Sequence, residues 1–217
     1  MFDSYFAESI ISRGIKSDLL QITTYALRDF TIDKHRRVDG KPYGGGPGMV
    51  MWAQPIVYCV SEIKSELSKK EKKAKIKTVI FSPGGILFTN TIAKKIEKNY
   101  TDIIFICGRY EGIDARVKKI LRTEEWSIGQ YVLTGGELPA MVCIDAISRQ
   151  IKGVLHDENS LEETRVASHE SYGRPEIFEH SGKNYKVPKV LLSGNHKLID
   201  EYRMKRENTI GKKKLSE

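Results

Sequence analysis

Cysteine is scarce: Cys59, Cys107 and Cys143 are the only three in 217 residues, far apart and each inside an apolar run. With no CxxC pair, neither a zinc site nor a disulfide framework is expected, and the three read as small buried hydrophobes in a reducing compartment. No uninterrupted apolar stretch approaches the length of a bilayer span, and the start Met1-Phe2-Asp3-Ser4-Tyr5 lacks a cationic segment followed by an apolar one. These absences predict a cytoplasmic protein without a membrane partner. A GxGxxG fingerprint and a P-loop Lys-Ser/Thr are also missing, which disfavours nicotinamide dinucleotides and nucleoside triphosphates as ligands.

What is present suits one large globular domain, or one domain plus a smaller appendage: 40% hydrophobic and 29% charged residues. A formal net charge of +8 and a pI near 9.2 make the summed field attractive to polyanions such as RNA, DNA or an acidic surface.

Phe2, Phe6 and Ile10 recur at a spacing of four, so the chain is expected to open in an amphipathic helix that Gly14 can stop. Leu19 to Leu27 reads as a strand. Residues Arg28 to Met51 contain Gly40, Pro42 and Gly44-Gly45-Gly46-Pro47-Gly48, a long irregular loop. From Gln54, the positions Ile56, Val57, Val60, Ile63 and Leu67 keep helical spacing up to the lysine-rich segment Lys69 to Lys77. Thr78 to Ser82 and Asp102 to Cys107 read as strands separated by an amphipathic helix over Thr89 to Asn99, a βαβ unit and hence a parallel sheet. A further strand around Tyr131 to Leu133 leads through Thr134-Gly135-Gly136-Glu137 into a helix carrying Met141, Ile144, Ile147 and Ile151. Gly153 to about Pro188 is polar and reads as an irregular linker. It precedes Val190-Leu191-Leu192, a basic helix with Lys197, Arg203, Lys205 and Arg206, and a frayed Lys212-Lys213-Lys214 tail.

Three loops leave the carboxyl ends of these strands: Ser82-Pro83-Gly84-Gly85, Gly108 to Asp114, and Ser127 to Leu133 with its Thr-Gly-Gly-Glu continuation. Ligands of open α/β sheets sit outside such ends, and glycine lets bare backbone approach a ligand closely. The three loops together describe a pocket whose main chain could read an adenine edge.

The chain resembles the bacterial tRNA (guanine-N1)-methyltransferases of the SPOUT class. The resemblance is carried by Arg28-Asp29-Phe30 with Asp33-Lys34-His35, Pro42-Tyr43-Gly44-Gly45-Gly46-Pro47-Gly48-Met49, Cys107 to Asp114, Glu125-Trp126-Ser127-Ile128-Gly129, Tyr131 to Pro139, and Arg149 with Gly153-Val154-Leu155. It implies an α/β parallel-sheet catalytic domain whose carboxyl half forms a trefoil knot, a topology that connection rules alone would have excluded. Carried over by position, Ser82, Pro83, Gly108, Tyr110, Glu111, Gly112, Ser127, Ile128, Gly129, Tyr131, Val132, Leu133, Gly135, Gly136 and Pro139 would line the site for S-adenosylmethionine. The resemblance further implies an obligate homodimer that completes this pocket and a tRNA substrate rather than DNA. It also implies assistance by Mg²⁺, for which no ligand spacing is visible.

N1 of guanine carries a proton that must leave as the methyl group arrives, while charge grows on O6; the chemistry asks for a base and a cation. Arg149 matches the family's arginine for the cationic role. The family's carboxylate, seven residues before the proline of a Tyr-Thr-Arg-Pro string, falls here on Ser168, because the string reads Tyr172-Gly173-Arg174-Pro175. A serine cannot serve as that base, so Glu170 is the first choice and His169, with an ordinary pKa of about 6.5, the second. Should neither act, the alternative is an RNA- and donor-binding pseudoenzyme with impaired turnover. The expected organisation is a catalytic domain over 1–152 without the family's usual first strand, which would leave a sheet edge unpaired. A flexible linker over 153–188 and a small helical domain over 189–217 that grips the anticodon stem complete it. Lys34, His35, Arg36, Arg37 and Lys41 around the glycine-proline loop could add diffuse positive charge for phosphates.

Overall fold

The computed structural model describes residues 1–155 and 170–202. The chain divides into two compact units, Met1–Leu155 and His156–Glu217.

In the first unit the amino-terminal helix is split into α1 (Phe2–Phe6) and α2 (Ser9–Lys16), because Glu8 is extended and Ser9 turns to a positive φ of 50°. Gly14 does not end α2. It lies inside it, where a Cβ would come within 2.7 Å of Leu20 Cδ1, so its smallness lets Leu20 fold back onto the helix. Short strands β1 (Asp39–Gly40) and β2 (Val50–Met51) pair antiparallel and close the ends of the glycine-proline loop. Then follow α3 (Ala53–Lys70), β3 (Ile76–Leu87), α4 (Asn90–Asn99), β4 (Asp102–Ile106), α5 (Arg116–Leu121), β5 (Glu124–Ser127) and α6 (Glu137–Ser148).

The sheet is parallel in the order β4-β3-β5, with the expected βαβ unit at its heart. Side chains alternate across the strands, so both faces are apolar and both are covered. Ile80, Ile104 and Ile106 pack with Ile56, Val60 and Ile63 of α3 and Val117 and Leu121 of α5. On the opposite face Val79 and Trp126 pack with Ala93 and Ile96 of α4 and Cys143 and Ile147 of α6.

Two expected strands are corrected. Leu19–Leu27 forms none and ends in a 3₁₀ turn at Leu27–Asp29. With the outer edge of β4 it borders a cleft of about 1020 Å³, so its strand propensity finds no ladder. Tyr131–Leu133 is irregular as well. The third strand is β5, where Glu124 and Glu125 are tied by ion pairs to Lys77 and Lys118, and Trp126 is buried.

In the second unit β6 (Ile177–His180) and β7 (Lys183–Lys186) form an antiparallel hairpin, followed by α7 (Lys189–Leu192) and a helical stretch over 196–202. The segment expected to be an irregular linker up to Pro188 therefore carries regular structure over 177–186. Lys197 is on the helical stretch. Arg203, Lys205, Arg206 and the Lys212–Lys214 tail lie outside the described residues.

Candidate functional site

The loops predicted from the sequence follow three neighbouring parallel strands and so lie at one end of the sheet. Ser82 and Pro83 are not in a turn after a finished strand. Residues 82–85 bulge out of β3, which pairs with Trp126 through Phe81 before the bulge and through Ile86 after it. Gly85 permits this return: a Cβ there would sit 2.7 Å from the Glu125 backbone. Beyond it, the Phe88 N–H donates to the Ser127 carbonyl at 2.7 Å, joining this loop to the one after β5. The Ser127 hydroxyl donates to Gly129 O at 2.9 Å and accepts from Gly129 N at 3.2 Å, and the Tyr131 hydroxyl donates to Ile128 O at 3.1 Å.

The loop after β4 is bound to the start of α6. Gly136 N–H donates to Gly108 O at 2.8 Å, Arg109 bridges Gly135, and the Arg109 guanidinium meets Glu137 Oε1 at 2.8 Å. A Cβ on Gly136 would lie 2.8 Å from Cys107 Cα, so only glycine allows the two backbones to touch. Pro139 is buried in the first turn of α6. Beside Gly112, by contrast, there is open space, and Gly84 is nearly as bare. Tyr110, Tyr131, Val132 and Leu133 stay exposed. Tight glycines where loops meet, and bare ones at their rims, give main-chain groups room to hold a flat polar ligand, which fits a nucleoside-bearing donor. Among the predicted donor residues only Tyr110 also lines the cleft beside β4, so that cleft is a separate feature.

The glycine-proline loop packs on the same loop after β4. Glu111 N–H donates to Met49 O, Met51 N–H to Gly112 O and Asp114 N–H to Met51 O, each at 3.0 Å. Residues 28–37 form a hydrogen-bonded platform next to it in sequence. Gln54 donates to Phe30 O at 2.8 Å, and Asp33 accepts from His35 N at 2.8 Å. The Arg37 guanidinium and backbone N–H hold the Asp33 carboxyl well below the usual range. Arg36 pairs with Asp29 and Arg37 with Asp33. Two of the predicted basic residues are thus engaged within the chain, while Lys34, His35 and Lys41 are exposed.

Arg149 caps the carboxyl end of α6 and is half-buried. One turn earlier, Asp145 accepts a hydrogen bond from Tyr5, which pushes the Tyr5 phenol up to about 12, with burial and the Asp145 charge adding to the shift. Glu170, in the second unit, accepts from the Tyr172 hydroxyl at 2.6 Å. His169 and Ser168 lie outside the described residues. Sequence reasoning missed the hairpin over 177–186, although the Ser181-Gly182 dipeptide between Ile177-Phe178 and Tyr185 is a turn signal.

Glycine-lined loops gathered at the carboxyl end of a parallel sheet define an α/β protein whose loops stand where open sheets of this class generally bind ligands. A family described as tRNA (Guanine-1)-methyltransferase TrmD matches residues 1–216, and the chain belongs to this family. It is 47% identical over 206 residues to a tRNA (guanine-N(1)-)-methyltransferase of Thermomicrobium roseum, spanning 94% of this chain and 73% of that protein. The corresponding protein of Dictyoglomus turgidum is 46% identical over 209 residues, 94% of this chain and 80% of its own length. That of Clostridioides difficile is 44% identical over 214 residues, 97% and 88%. The family is one of enzymes, of the methyltransferase class. Among the described residues no helix is long and apolar enough to cross a membrane.

Proposed function

We propose that this protein transfers a methyl group from S-adenosylmethionine to N1 of the guanosine immediately 3′ of the tRNA anticodon, acting in the cytoplasm as a homodimer. The family match over residues 1–216 carries the activity, and the relatives' names favour an active enzyme over a pseudoenzyme. The glycine loops at the ends of β3, β4 and β5 support the donor site, with the bare backbone at Gly84 and Gly112 facing open space. A trefoil knot over the carboxyl half of the catalytic domain belongs to the same reading. The return of Gly135 and Gly136 onto the Gly108 loop supports it.

The donor supplies an electrophilic methyl on a sulfonium. The chain's own residues do the rest: Arg149 steadies the charge on O6, and Glu170, or else His169, takes the N1 proton. The helical rise puts Arg149 about 18 Å along α6 from Glu137, farther than an arginine side chain extends. That separation supports a site completed by a second copy. Exposed Leu138 and Val142, one turn apart on α6, offer it an apolar contact. Mg²⁺ is implied by the resemblance alone; among the described residues no group of three His, Cys, Asp or Glu stands ready to hold it.

The test is transfer of labelled methyl from S-adenosylmethionine to a tRNA with guanosine 3′ of its anticodon. The expected product is N1-methylguanosine, with turnover lowered about a hundredfold or more by Glu170→Gln and by Arg149→Ala. Binding of donor and tRNA without transfer would overturn the reading in favour of the pseudoenzyme. Unchanged turnover of Glu170→Gln would move the base to His169.

A further inference from the structure

The β6–β7 hairpin has two dissimilar faces. Its register pairs Phe178 with Tyr185 and His180 with Lys183 on one side, and Ile177 with Lys186 and Glu179 with Asn184 on the other. Phe178 and His180 are confirmed as neighbours by their stacked rings, 6.3 Å apart and 6° from parallel. All eight strand residues are exposed. Three rings and one ammonium group thus share a solvent-facing surface, and the hairpin's one strand carboxylate, Glu179, projects from the opposite face.

A soluble protein exposes such a set at a cost, because Phe178 and Tyr185 would gain by burial. The tight turn also fixes the face: Ser181 and Gly182 both have positive φ, 50° and 70°, a two-residue turn whose twist matches that of the paired strands. Flat rings presented by a pinned ladder beside a cation complement an unpaired nucleobase with its phosphate. Bases stack on aromatic faces without regard to sequence, and lysine answers the backbone charge. A purely apolar protein partner would leave Lys183 unanswered, and a purely acidic one would leave the Phe178 and Tyr185 ring faces without a stacking partner.

We propose that the Phe178–His180–Lys183–Tyr185 face of this hairpin is a stacking platform for unpaired bases of the RNA loop that the enzyme modifies. This rests on the reading of tRNA as substrate and adds the group recognised: exposed bases, not the duplex stem.

The full-length protein is titrated with an anticodon stem-loop RNA carrying 2-aminopurine in its loop, and in parallel with a blunt RNA duplex of the same stem. Wild-type protein is expected to change the fluorescence of the loop base. Phe178→Ala and Tyr185→Ala should each weaken stem-loop binding about tenfold or more and leave duplex binding unchanged. Phe178→Trp should retain both affinity and fluorescence change, which separates stacking from loss of the hairpin fold. Lys183→Ala should lower the salt dependence of binding by about one ion, and Asn184→Ala on the other face should bind as wild type. Equal stem-loop affinities for wild type, Phe178→Ala and Tyr185→Ala would overturn the platform while methyl transfer by the wild type still upheld the enzyme. Failure of the wild type to bind or methylate any tRNA would overturn the substrate reading itself.

Discussion

Gly48 lies directly against the Glu111 side chain, so that a methyl group at position 48 would overlap Glu111 Cγ. This contact joins the glycine-proline loop to the predicted donor loop, and the backbone bonds from Glu111 to Met49 and from Met51 to Gly112 make the joint continuous. Gly48 also holds φ at +78°, a region that residues with a Cβ adopt at a cost of about 1–3 kcal/mol.

Gly48→Ala should therefore lower kcat/KM for methyl transfer about tenfold or more, raising the KM for donor and for tRNA together. Gly44 has a similar φ of +85° but nothing within 4 Å of a built Cβ. Gly44→Ala bears the strain without the collision and should lose less. Steady-state kinetics of the two variants decide the point. Equal losses would mean that the Glu111 contact has no part in activity.

Gly136 is constrained more severely, because its neighbours are backbone atoms that cannot rotate away. An added Cβ would meet Cys107 Cα at 2.8 Å and Gly108 N at 3.0 Å, and would strain the 2.8 Å hydrogen bond from Gly136 N–H to Gly108 O. Gly136→Ala should cost about 1–3 kcal/mol of stability, the usual penalty of overpacking. It should also weaken donor binding, since the two predicted donor loops are forced apart. Urea unfolding and calorimetric titration with S-adenosylmethionine read the two effects. A variant as stable as wild type would show that the loops are not held this closely in solution.

The sequence made the middle of the fold legible because local pattern and tertiary packing agree there. Ile56, Val60, Ile63 and Leu67 recur at helical spacing, and all four pack in one core cluster over the sheet. The runs on either side of α4 became the paired strands β3 and β4. Where the two levels disagree, the sequence misleads. Glu124-Glu125 does not look like a strand, yet it becomes one because β3 offers a ladder and Lys77 and Lys118 neutralise the carboxylates. Leu19–Leu27 looks like a strand and remains irregular along the cleft beside β4. In the site, glycine-rich turns were visible from composition. The bulge at 82–85 and the closeness of Gly136 to Cys107 were not, because both depend on which backbone passes nearby.

Cys143, on α6, is fully buried against the sheet, and desolvation pushes its thiol up to about 12. Cys107 is pushed up to about 12 by burial and then by Glu137, and Cys59 to about 11, mainly by burial. Thiolate is the reactive form, so native protein at pH 8 should react with a thiol-specific disulfide reagent far more slowly than protein in denaturant, which should release all three thiols. Rapid titration of Cys143 in the folded enzyme would contradict its placement in the core.

Tyr5 and Asp145 make an alkaline-sensitive tie between α1 and α6, one turn from Arg149. The Tyr5 phenol is neutral when it donates to Asp145, and its folded pKa is raised from 10.0 to about 12. A raised folded pKa means that the bond's contribution is fully present below about pH 10 and is lost as pH climbs through about 12. Tyr5→Phe, which removes the hydroxyl and keeps the ring, should cost about 1 kcal/mol at neutral pH. The gap between wild type and variant should then narrow between pH 10 and 12, because the wild type alone loses this bond. Thermal unfolding of both proteins across that range measures the gap directly. The absence of a gap at any pH would show that Tyr5 contributes through its ring packing against Phe6, at 5.9 Å between centroids, and not through Asp145.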